Sequence, residues 1–476
     1  MKAAAKVVPE AVLRRIQAVV GPKGWTVDPA EMAPYLEDER GHYHGQSAMV
    51  VRPRTAAEVS KVVRLCAGAG IAIVPQGGNT SLVGASVPFE HGGEILVNLS
   101  RLNRIRATDP LNYTITVEAG SVLANVQEAA AAVDRLFPLS LGAEGSCQIG
   151  GNLSTNAGGM QVLRYGTARD LVLGLEVVLP DGRLWDGLKG LRKDNTGYDL
   201  KQLFIGAEGT LGIITAAVLR LFPRPREVAT ALVAMAELDG AIELLARTRT
   251  ASGDLVTGFE LVPRTGIDLA LEHVPATRDP FAERHEHAVL IELTSSEASS
   301  ALRESLEAML ARALEDGLVL DAVVAASESQ ARQLWQIRTA IPEAEKIAGG
   351  GIKHDVSVPV ARIPDFIREA TAGCERELEG VRILAFGHLG DGNIHFNLMP
   401  PSGGEKQAFL ALGPRFNRIV HDVVASMGGS ISGEHGIGRL KREELRRYAS
   451  AVELDLMRRL KAALDPKGIM NPGKVI

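Results

Sequence analysis

A turn signal between two apolar strand patterns is the feature that most constrains the fold of this chain. Asp391-Gly392 is a dipeptide typical of a two-residue β-hairpin loop. Such a loop predicts that His388 lies directly opposite His395, with their Cβ atoms roughly 4.5–5.5 Å apart on one side of the hairpin. Asn397 shares that side because side chains alternate along a strand. The hairpin is therefore predicted to present two imidazoles and an amide to one small volume.

The two histidines indicate a metal site when a carboxylate joins them. Two imidazoles and one carboxylate form an open site for zinc or a similar divalent ion. Glu434 is our predicted third ligand, and His435 beside it stays free to move a proton. Nothing in the residue spacing places Glu434 next to the hairpin, so this ligand is a hypothesis. A metal-dependent hydrolase uses the same ligand set and remains an alternative.

Composition limits the class of protein. A length of 476 residues suggests about three domains. A net charge of -5 gives no support for nucleic-acid binding. No apolar run approaches the roughly 18 residues of a membrane span. The N-terminus has no secretory signal, and the few, widely spaced cysteines Cys66, Cys147 and Cys374 favour a reducing compartment over a disulfide framework. We therefore predict a cytoplasmic location.

The pattern along the chain predicts an α+β protein in three segments, 1–224, 225–405 and 406–476. In the first segment, Thr55 and Glu58 form a predicted capping box for a helix. Its predicted strands are residues 71–74, 113–118, 172–179 and 213–221. The second segment has predicted strands at 229–235, 288–294, 318–324 and 355–359 before the hairpin, with helices at 238–248, 298–313, 331–346 and 363–378. This pattern predicts an α+β sandwich with one sheet face covered. The third segment is predicted to be mainly helical.

Glycine loops in the first half predict a nucleotide site. The chain has 50 glycines, and they are concentrated between residues 68 and 212. The loop 77–81 follows a strand, and a denser loop spans 141–159. Consecutive small residues with free N–H groups suit a pyrophosphate. Neither loop contains G-x-G-x-x-G opening a helix, and no P-loop motif occurs, so the Rossmann and P-loop folds are disfavoured. Two such loops favour an extended dinucleotide.

Four ordered motifs resemble those of a known flavoprotein superfamily. The segments 75–81, 141–159, 164–166 and 205–212 are similar to the FAD domain of the vanillyl-alcohol oxidase/p-cresol methylhydroxylase superfamily, and the motifs around His388, His395 and Glu434-His435 resemble its D-2-hydroxyacid dehydrogenase branch. The resemblance extends from about residue 40 to the end. It implies a two-lobed FAD domain, an α+β substrate-binding cap with an antiparallel sheet, and a helical C-terminal segment. The residues it implies for FAD binding are Pro75, Gly77, Gly78, Asn79, Thr80, Ser81, Gly142, Gly145, Ser146, Gly150, Gly151, Asn152, Thr155, Gly158, Gly159, Tyr165, Gly166, Glu208, Gly209, Gly212, Ile214 and Asn471.

The resemblance also implies roles for the C-terminal motifs. The metal ligands of the branch match His388, His395 and Glu434, and its catalytic base matches His435. Asn397 matches a substrate-contacting residue. The implied reaction uses the metal, for which zinc is our first choice, to assist alkoxide formation, while hydride passes to flavin N5. Some relatives tether FAD through a histidine where this chain has Asn79, so we expect non-covalent FAD.

Two basic residues bear on the substrate. Arg338 and Lys353 match substrate-carboxylate residues of D-2-hydroxyglutarate dehydrogenases, and the lysine favours a dicarboxylate. The matched enzymes have a hydroxyl residue four positions after the arginine, whereas this chain has Pro342. The best prediction is therefore D-2-hydroxyglutarate, with D-malate, D-lactate and glycolate as alternatives.

The resemblance also suggests partners and leaves two other functions open. We expect a homodimer that passes electrons to an electron-transfer flavoprotein or a quinone-linked carrier. A synthase of the alkyl-glycerone-phosphate type is one alternative, although it carries a run of histidines that this chain lacks. A non-catalytic flavin-binding subunit is the other, and the retained ligands and base argue against it.

Overall fold

The computed structural model describes residues 7–298 and 301–476, which form two compact units. The first unit contains the chain up to Gly158, Gly166–Arg224 and His435–Ile476. The second unit contains Gly159–Tyr165 and Pro225–Glu434. The predicted third segment is therefore divided, since residues 406–434 pack with the second unit and the rest with the first.

Regular structure covers most of both units. The strands of the described residues are β1 (Trp25–Thr26), β2 (Met49–Val51), β3 (Ala72–Gln76), β4 (Glu94–Asn98), β5 (Ile105–Asp109), β6 (Thr114–Glu118), β7 (Arg135–Leu136), β8 (Val172–Val178), β9 (Leu184–Gly187), β10 (Ile213–Arg220), β11 (Phe222–Pro223), β12 (Glu227–Met235), β13 (Val256–Pro263), β14 (His287–Ser295), β15 (Val319–Val324), β16 (Asp355–Ser357), β17 (Arg382–His388) and β18 (Asn393–Met399). The helices are α1 (Glu10–Val20), α2 (Pro29–Leu36), α3 (Ala56–Ala69), α4 (Leu123–Ala131), α5 (Ile149–Ser154), α6 (Val162–Tyr165), α7 (Gly240–Ser252), α8 (Arg264–His273), α9 (Leu302–Glu315), α10 (Glu328–Ile347), α11 (Ile363–Glu377), α12 (Lys406–Ala411), α13 (Gly413–Ser426), α14 (Arg442–Tyr448) and α15 (Ala451–Leu464), with 3₁₀ turns at Leu200–Leu203 and Val360–Arg362.

The first unit begins with a four-stranded sheet in the order β1-β2-β4-β3. Strand β4 lies between β2 and β3 and runs parallel to both. Parallel strands require a crossover connection, and α3 is the crossover from β2 to β3. The hydroxyl of Thr55 accepts the N–H of Glu58, as the capping pattern predicts. The Glu58 carboxylate accepts the N–H of Arg54 instead of returning to Thr55. Gly70 ends the helix in the left-handed conformation.

A second sheet of the first unit is antiparallel, in the order β5-β6-β10-β8-β9. Its strands β6, β8 and β10 confirm the predicted strands at 113–118, 172–179 and 213–221 to within one residue. The central strand β10 is buried along nearly its whole length. Both sheets therefore give the glycine loops of this unit rigid supports.

The second unit is built on a seven-stranded antiparallel sheet in the order β15-β12-β14-β13-β17-β18-β16. The predicted strands of this segment are all present, and the predicted antiparallel sheet is confirmed. Strand β13 and helix α8 were not predicted. Gly258 and the charged Glu260 interrupt the apolar pattern of β13, which is why periodicity alone does not identify this central strand.

Both faces of this sheet are covered, so the prediction of one covered face is wrong. Along β12, Val233 packs into the core formed with α7, α9 and α11. Its neighbour Leu232 packs into the opposite core, formed with α8 and α10. Continuous burial of this kind requires helices on both sides of a sheet.

Two further observations concern the chain as a whole. Within residues 7–298 and 301–476, no helix combines the length and the apolar character needed to cross a bilayer. Cys66, Cys147 and Cys374 are buried free thiols. Burial raises the pKa of Cys66 and of Cys374 to about 12, which makes both thiols poor nucleophiles.

Candidate active site

The histidine hairpin of β17 and β18 has a different register from the predicted one. His388 pairs with Asn393, and His395 pairs with Phe386, so four residues, 389–392, form the loop. The predicted direct pairing of His388 with His395 is therefore wrong. A shift of two residues nevertheless keeps both side chains on the same face. The two imidazole rings meet edge to face with their centroids 5.6 Å apart.

A neighbouring strand explains the longer loop. The N–H of Gly390 donates to the carbonyl of Phe259 in β13, 3.0 Å away. The N–H groups of Asp391 and Gly392 both donate to the carbonyl of His388. The loop is therefore held by a contact distant in sequence, which the Asp-Gly signal does not include.

Glu434 lies beside the hairpin histidines within the second unit. Its Oε1 is 3.5 Å from Nε2 of His395 and 3.9 Å from Nε2 of His388. Two ligand atoms about 2.1 Å from a tetrahedral zinc ion lie about 3.4 Å apart. The donor set and its spacing therefore fit a divalent cation with small adjustments of the side chains.

Asp355 is a member of this group that sequence analysis did not identify. Asp355, His395 and Glu434 offer ligand atoms within 4.8 Å of one another. The buried carboxylate of Asp355 accepts the main-chain N–H of Glu434 at 3.1 Å and the side-chain amide of Asn393 at 2.9 Å. Asp355 thus attaches the Glu434 segment to the hairpin. Its place directly after Lys353-His354, in a short strand beside the hairpin, is the signal that could have identified it.

A second unpredicted carboxylate, Glu260, connects the metal group with a predicted substrate residue. Its side chain is 1% exposed. Its Oε1 lies 2.9 Å from Nδ1 of His388, and its Oε2 accepts Nε–H of Arg338 at 2.8 Å. A lone acidic residue in an otherwise apolar strand was the available signal, since buried charges are rare without partners.

The charges around Glu260 fix its protonation. Burial favours a higher pKa, but the adjacent His388 and Arg338 outweigh it and lower the pKa of Glu260 to about 2. An ionised carboxylate only accepts hydrogen bonds, so Nδ1 of His388 carries the proton. Burial favours a lower pKa for His388, but Glu260 and Glu434 outweigh it and raise that pKa to about 9.

The remaining predicted substrate residues meet at a third carboxylate. Oε2 of Glu345 accepts hydrogen bonds from Lys353 Nζ and from the Asn397 amide, both at 2.9 Å. Glu345 is fully buried, and its Oε1 has no hydrogen-bond partner among the described residues. Lys353 and Asn397 are thus brought together, whereas Arg338 is held by Glu260.

Pro342 lies inside α10, four residues after Arg338. Proline has no N–H, so it leaves the carbonyl of Arg338 without its usual helical donor. The helix nevertheless continues to Ile347.

His435 follows Glu434 directly in the chain and is partly exposed. It begins the C-terminal segment that packs with the first unit. Its role as the base therefore stays a prediction. His354, by contrast, is buried, with its ring nitrogens 2.8 Å from the carbonyl of Phe396 and 3.0 Å from Oδ1 of Asn417, which indicates a structural role.

The predicted FAD loops pack against one another in the first unit. A Cβ atom on Gly78 would overlap the carbonyl of Ser146, so the loops 77–81 and 141–159 touch at this glycine. A Cβ atom on Gly209 would lie 2.5 Å from Cγ of Pro75, which connects the third loop to the first. Glycine at these two positions is therefore required by close approach of neighbouring chain.

Two predicted FAD residues connect the C-terminal segment to these loops. The buried carboxylate of Glu208 accepts the N–H groups of Ile437 and Gly438 at 2.7 and 2.8 Å. The Asn471 amide donates to the carbonyl of Glu208 at 2.8 Å. Burial raises the pKa of Glu208 to about 7, although the two N–H groups oppose this shift.

Several atoms around the loops suit a polar ligand. The buried oxygens Gln148 Oε1, Asn152 Oδ1 and Asn471 Oδ1 have no hydrogen-bond partner among the described residues. Buried acceptors of this kind normally find a donor, and FAD offers hydroxyl and N–H groups. A Cβ atom on Gly145 or Gly151 would meet nothing within 4 Å, so both glycines face open space. The first unit therefore fits FAD.

Asn79, one of the predicted FAD residues, has a structural role within the first unit. Its amide donates to the carbonyls of Pro34 and Glu37 at 3.2 and 2.7 Å, and its oxygen accepts the Ser86 hydroxyl at 2.9 Å. Of the other predicted FAD residues, Gly159 and Tyr165 fall in the short segment that packs with the second unit, and the rest belong to the first.

Comparison with protein families separates the chain at the same point, near residue 224, but includes the C-terminal segment 435–475 in the second match. Residues 47–187 match an FAD binding domain, and residues 224–475 match the C-terminal domain of FAD linked oxidases. Among solved structures, p-cresol methylhydroxylase with bound substrate is similar, with a TM-score of 0.74 and 16% identity over 98% of this chain and 96% of that chain. Alkyldihydroxyacetonephosphate synthase has a TM-score of 0.73 and 18% identity over 99% of this chain and 86% of that chain. These likenesses confirm the predicted fold. The match over residues 224–475, more than half of the chain, places the protein among the FAD linked oxidases.

Curated relatives narrow the family further. The mitochondrial D-2-hydroxyglutarate dehydrogenase of Arabidopsis thaliana is 38% identical over 96% of this chain and 80% of its own length. The Bos taurus protein of the same name is 38% identical over 99% of this chain and 84% of its own length. A putative mitochondrial D-lactate dehydrogenase of Schizosaccharomyces pombe is 36% identical over 95% of this chain and 86% of its own length. The chain therefore belongs to the FAD-linked oxidase family that includes the D-2-hydroxyglutarate dehydrogenases.

Proposed function

We propose that this protein oxidises a D-2-hydroxyacid, with D-2-hydroxyglutarate as the preferred substrate, to the corresponding 2-oxoacid with non-covalent FAD as the electron acceptor. The observation that carries the proposal is the convergence of His388, His395 and Glu434 next to a buried arginine, in a chain that contains an FAD binding domain. The names of the most similar relatives support this substrate class.

Each half of the substrate has a proposed binding group. Among the described residues, Arg338 contacts Glu260 through Nε alone, and we propose that its remaining N–H groups bind the carboxylate next to the hydroxyl. Lys353 uses one of three ammonium donors on Glu345 and retains others for a second carboxylate. Asn397 lies beside Lys353 on the same oxygen of Glu345.

The chemistry requires removal of a proton from oxygen and of a hydride from carbon. A divalent cation held by His388, His395 and Glu434, with zinc as the first candidate, would lower the pKa of the substrate hydroxyl. Bound FAD supplies the two-electron acceptor at flavin N5. We propose that His435 accepts the hydroxyl proton as general base.

One experiment tests the substrate directly. The purified FAD-loaded protein is mixed anaerobically with D-2-hydroxyglutarate, D-malate, D-lactate or glycolate, and bleaching of the flavin absorbance is followed. We expect the fastest bleaching with D-2-hydroxyglutarate. Faster bleaching by D-lactate would favour the activity named for the fission-yeast relative, and no bleaching by any hydroxyacid would overturn the proposal.

A His435→Ala variant tests the proposed base. It should retain FAD absorbance and bound metal but lose most of the bleaching rate, because the hydroxyl proton then has no acceptor. His273→Ala is the control, since His273 is also a partly exposed histidine and lies in the last turn of α8, where Nε2 is 3.8 Å from the carboxylate of Glu272. Unchanged bleaching in the His435 variant would contradict its assignment as base.

Electron acceptor, assembly and location remain proposals of the same kind. We propose an electron-transfer flavoprotein or a quinone-linked carrier as the acceptor and a homodimer as the assembly. The predicted cytoplasmic location gains no support from the relatives, whose names place those proteins in mitochondria. The hydrolase alternative leaves the FAD binding domain match unexplained. The likeness to the alkyldihydroxyacetonephosphate synthase, at 18% identity, concerns the fold alone.

A further inference from the structure

Glu260 occupies an unusual place for a charged residue. It lies in β13, near the middle of the seven-stranded sheet, where both neighbours in the strand, Phe259 and Leu261, are buried. Leu261 pairs with Gly387 in the antiparallel β13–β17 ladder, so Glu260 lies directly opposite His388. The register of two strands distant in sequence therefore presents this carboxylate to the imidazole.

Stability alone gives no reason for a carboxylate here. Removing a carboxylate from water is costly, and a buried ion pair is often no more stabilising than well-packed apolar side chains. The two oxygens of Glu260 are nevertheless both used, one by His388 and the other by Arg338. This division connects a proposed metal ligand and a proposed substrate anchor through a single side chain.

The contact with His388 determines which ring nitrogen faces the metal group. Because Nδ1–H donates to Glu260, the lone pair of the neutral ring lies on Nε2, the atom that is 3.9 Å from Glu434. Carboxylates that accept the second N–H of a metal-binding histidine orient the ring and raise its basicity. Arg338 is fixed at the same time by its Nε contact and by packing of its guanidinium 5.0 Å from the centroid of the Phe386 ring.

We propose that Glu260 is a positioning residue that sets the ring orientation and tautomer of His388 for a divalent cation and holds Arg338 in the geometry needed for a substrate carboxylate. The first part concerns metal binding by the folded protein, while the second rests on the proposed oxidation of a 2-hydroxyacid. Because both of its carboxylate oxygens are taken up by His388 and Arg338, Glu260 would act through these two residues.

The chain offers a matched control in the adjacent strand. Glu292 in β14 is another largely buried glutamate of the same sheet, and its carboxylate accepts Trp335 Nε1–H at 2.6 Å and the Thr257 hydroxyl at 3.3 Å. Within the described part of the chain, none of its hydrogen bonds goes to a proposed metal or substrate residue. Glu260→Gln and Glu292→Gln therefore make the same chemical change at two buried positions, only one of which adjoins the site.

The experiment measures zinc affinity without relying on activity. FAD-loaded, metal-depleted protein is titrated with Zn²⁺ against a chromophoric chelator, and folding is checked by the thermal midpoint and FAD content. We expect Glu260→Gln to weaken zinc binding by about 10- to 100-fold and Glu292→Gln to leave it within about twofold of the unmodified protein. Zinc affinity equal to that of the unmodified protein in folded Glu260→Gln would overturn the proposal, as would an equal loss in both variants.

A second variant and a KM measurement distinguish failure of the Glu260 proposal from misfolding and from failure of the proposed function. If Glu260→Gln does not fold, Glu260→Asp takes its place under the same criteria, since it keeps the charge but shortens the reach to Nδ1. The KM for D-2-hydroxyglutarate should rise in the Glu260 variant even at saturating zinc, because Arg338 loses its fixed orientation; an unchanged KM would overturn the Arg338 part. If no hydroxyacid is oxidised by the unmodified protein, the proposed function fails, whereas the zinc titration still decides the metal part.

Discussion

Lys353→Ala gives the sharpest test of the dicarboxylate preference. The ammonium group of Lys353 contacts Oε2 of Glu345 at 2.9 Å, and the lysine side chain is 29% exposed, so part of the group remains accessible to a substrate. A hydrogen bond to a charged partner contributes about 1.5–3 kcal/mol. At 1.36 kcal/mol for each factor of ten, removal of Lys353 should lower kcat/KM for D-2-hydroxyglutarate by about 10- to 150-fold.

The comparison with a monocarboxylate isolates this effect. D-Lactate has no second carboxylate for Lys353, so its kcat/KM should change by less than about fivefold in the same variant. Lys346→Ala is the control, because Lys346 adjoins Glu345 in α10 but is exposed. Stopped-flow bleaching of the flavin with both substrates measures the ratio. Equal losses for the two substrates would refute the assignment of Lys353 to the second carboxylate.

Three further outcomes follow from the structure. Gly78→Ala should lower the FAD content and reduce the free energy of unfolding by about 1–3 kcal/mol, because the added Cβ would overlap the carbonyl of Ser146. In the control Gly68→Ala, inside α3, the added Cβ meets nothing within 4 Å, so urea unfolding should show no change or a gain of up to about 1 kcal/mol. Prolonged chelation should abolish bleaching of the flavin by substrate while FAD stays bound, and added Zn²⁺ or Mn²⁺ should restore the bleaching. Full activity in a protein that contains no metal by elemental analysis would exclude the metal role. Because the pKa of Glu208 is raised to about 7, protonation of this group stabilises the folded state below pH 4.5, and that stabilisation is lost as pH rises through 7. The loss is at most about 3 kcal/mol. Glu208→Gln should reduce the difference in unfolding free energy between pH 5 and pH 7.5, measured by urea unfolding.

The hairpin shows what residue spacing can and cannot predict. Alternation along the strands correctly placed His388 and His395 on one face, because a face is set by a period of two residues. The direct pairing was wrong because the contact from Gly390 to Phe259 lengthens the loop. That contact joins the hairpin loop to β13, more than a hundred residues earlier in the chain, so a local turn signal cannot predict it.

The contacts of the supporting carboxylates could not be predicted from the sequence for the same reason. Glu260 is noticeable only as a lone charge in a largely apolar strand, and Asp355 only by its place after Lys353-His354. Their importance lies in their partners, which come from other strands and helices. Ligand types can be predicted from chemistry and motif, whereas the groups that orient them become visible only when the sheet is assembled.

The way in which Asp355 holds Glu434 has an evolutionary consequence. The carboxylate of Asp355 accepts a hydrogen bond from the main-chain N–H of residue 434, so this contact does not depend on which side chain residue 434 carries. A different donor, such as histidine or aspartate, could therefore be presented from the same spot on the backbone. If Glu434 is a ligand as proposed, a substitution at this one position would change the cation preference of the site during evolution and leave the contact with Asp355 in place.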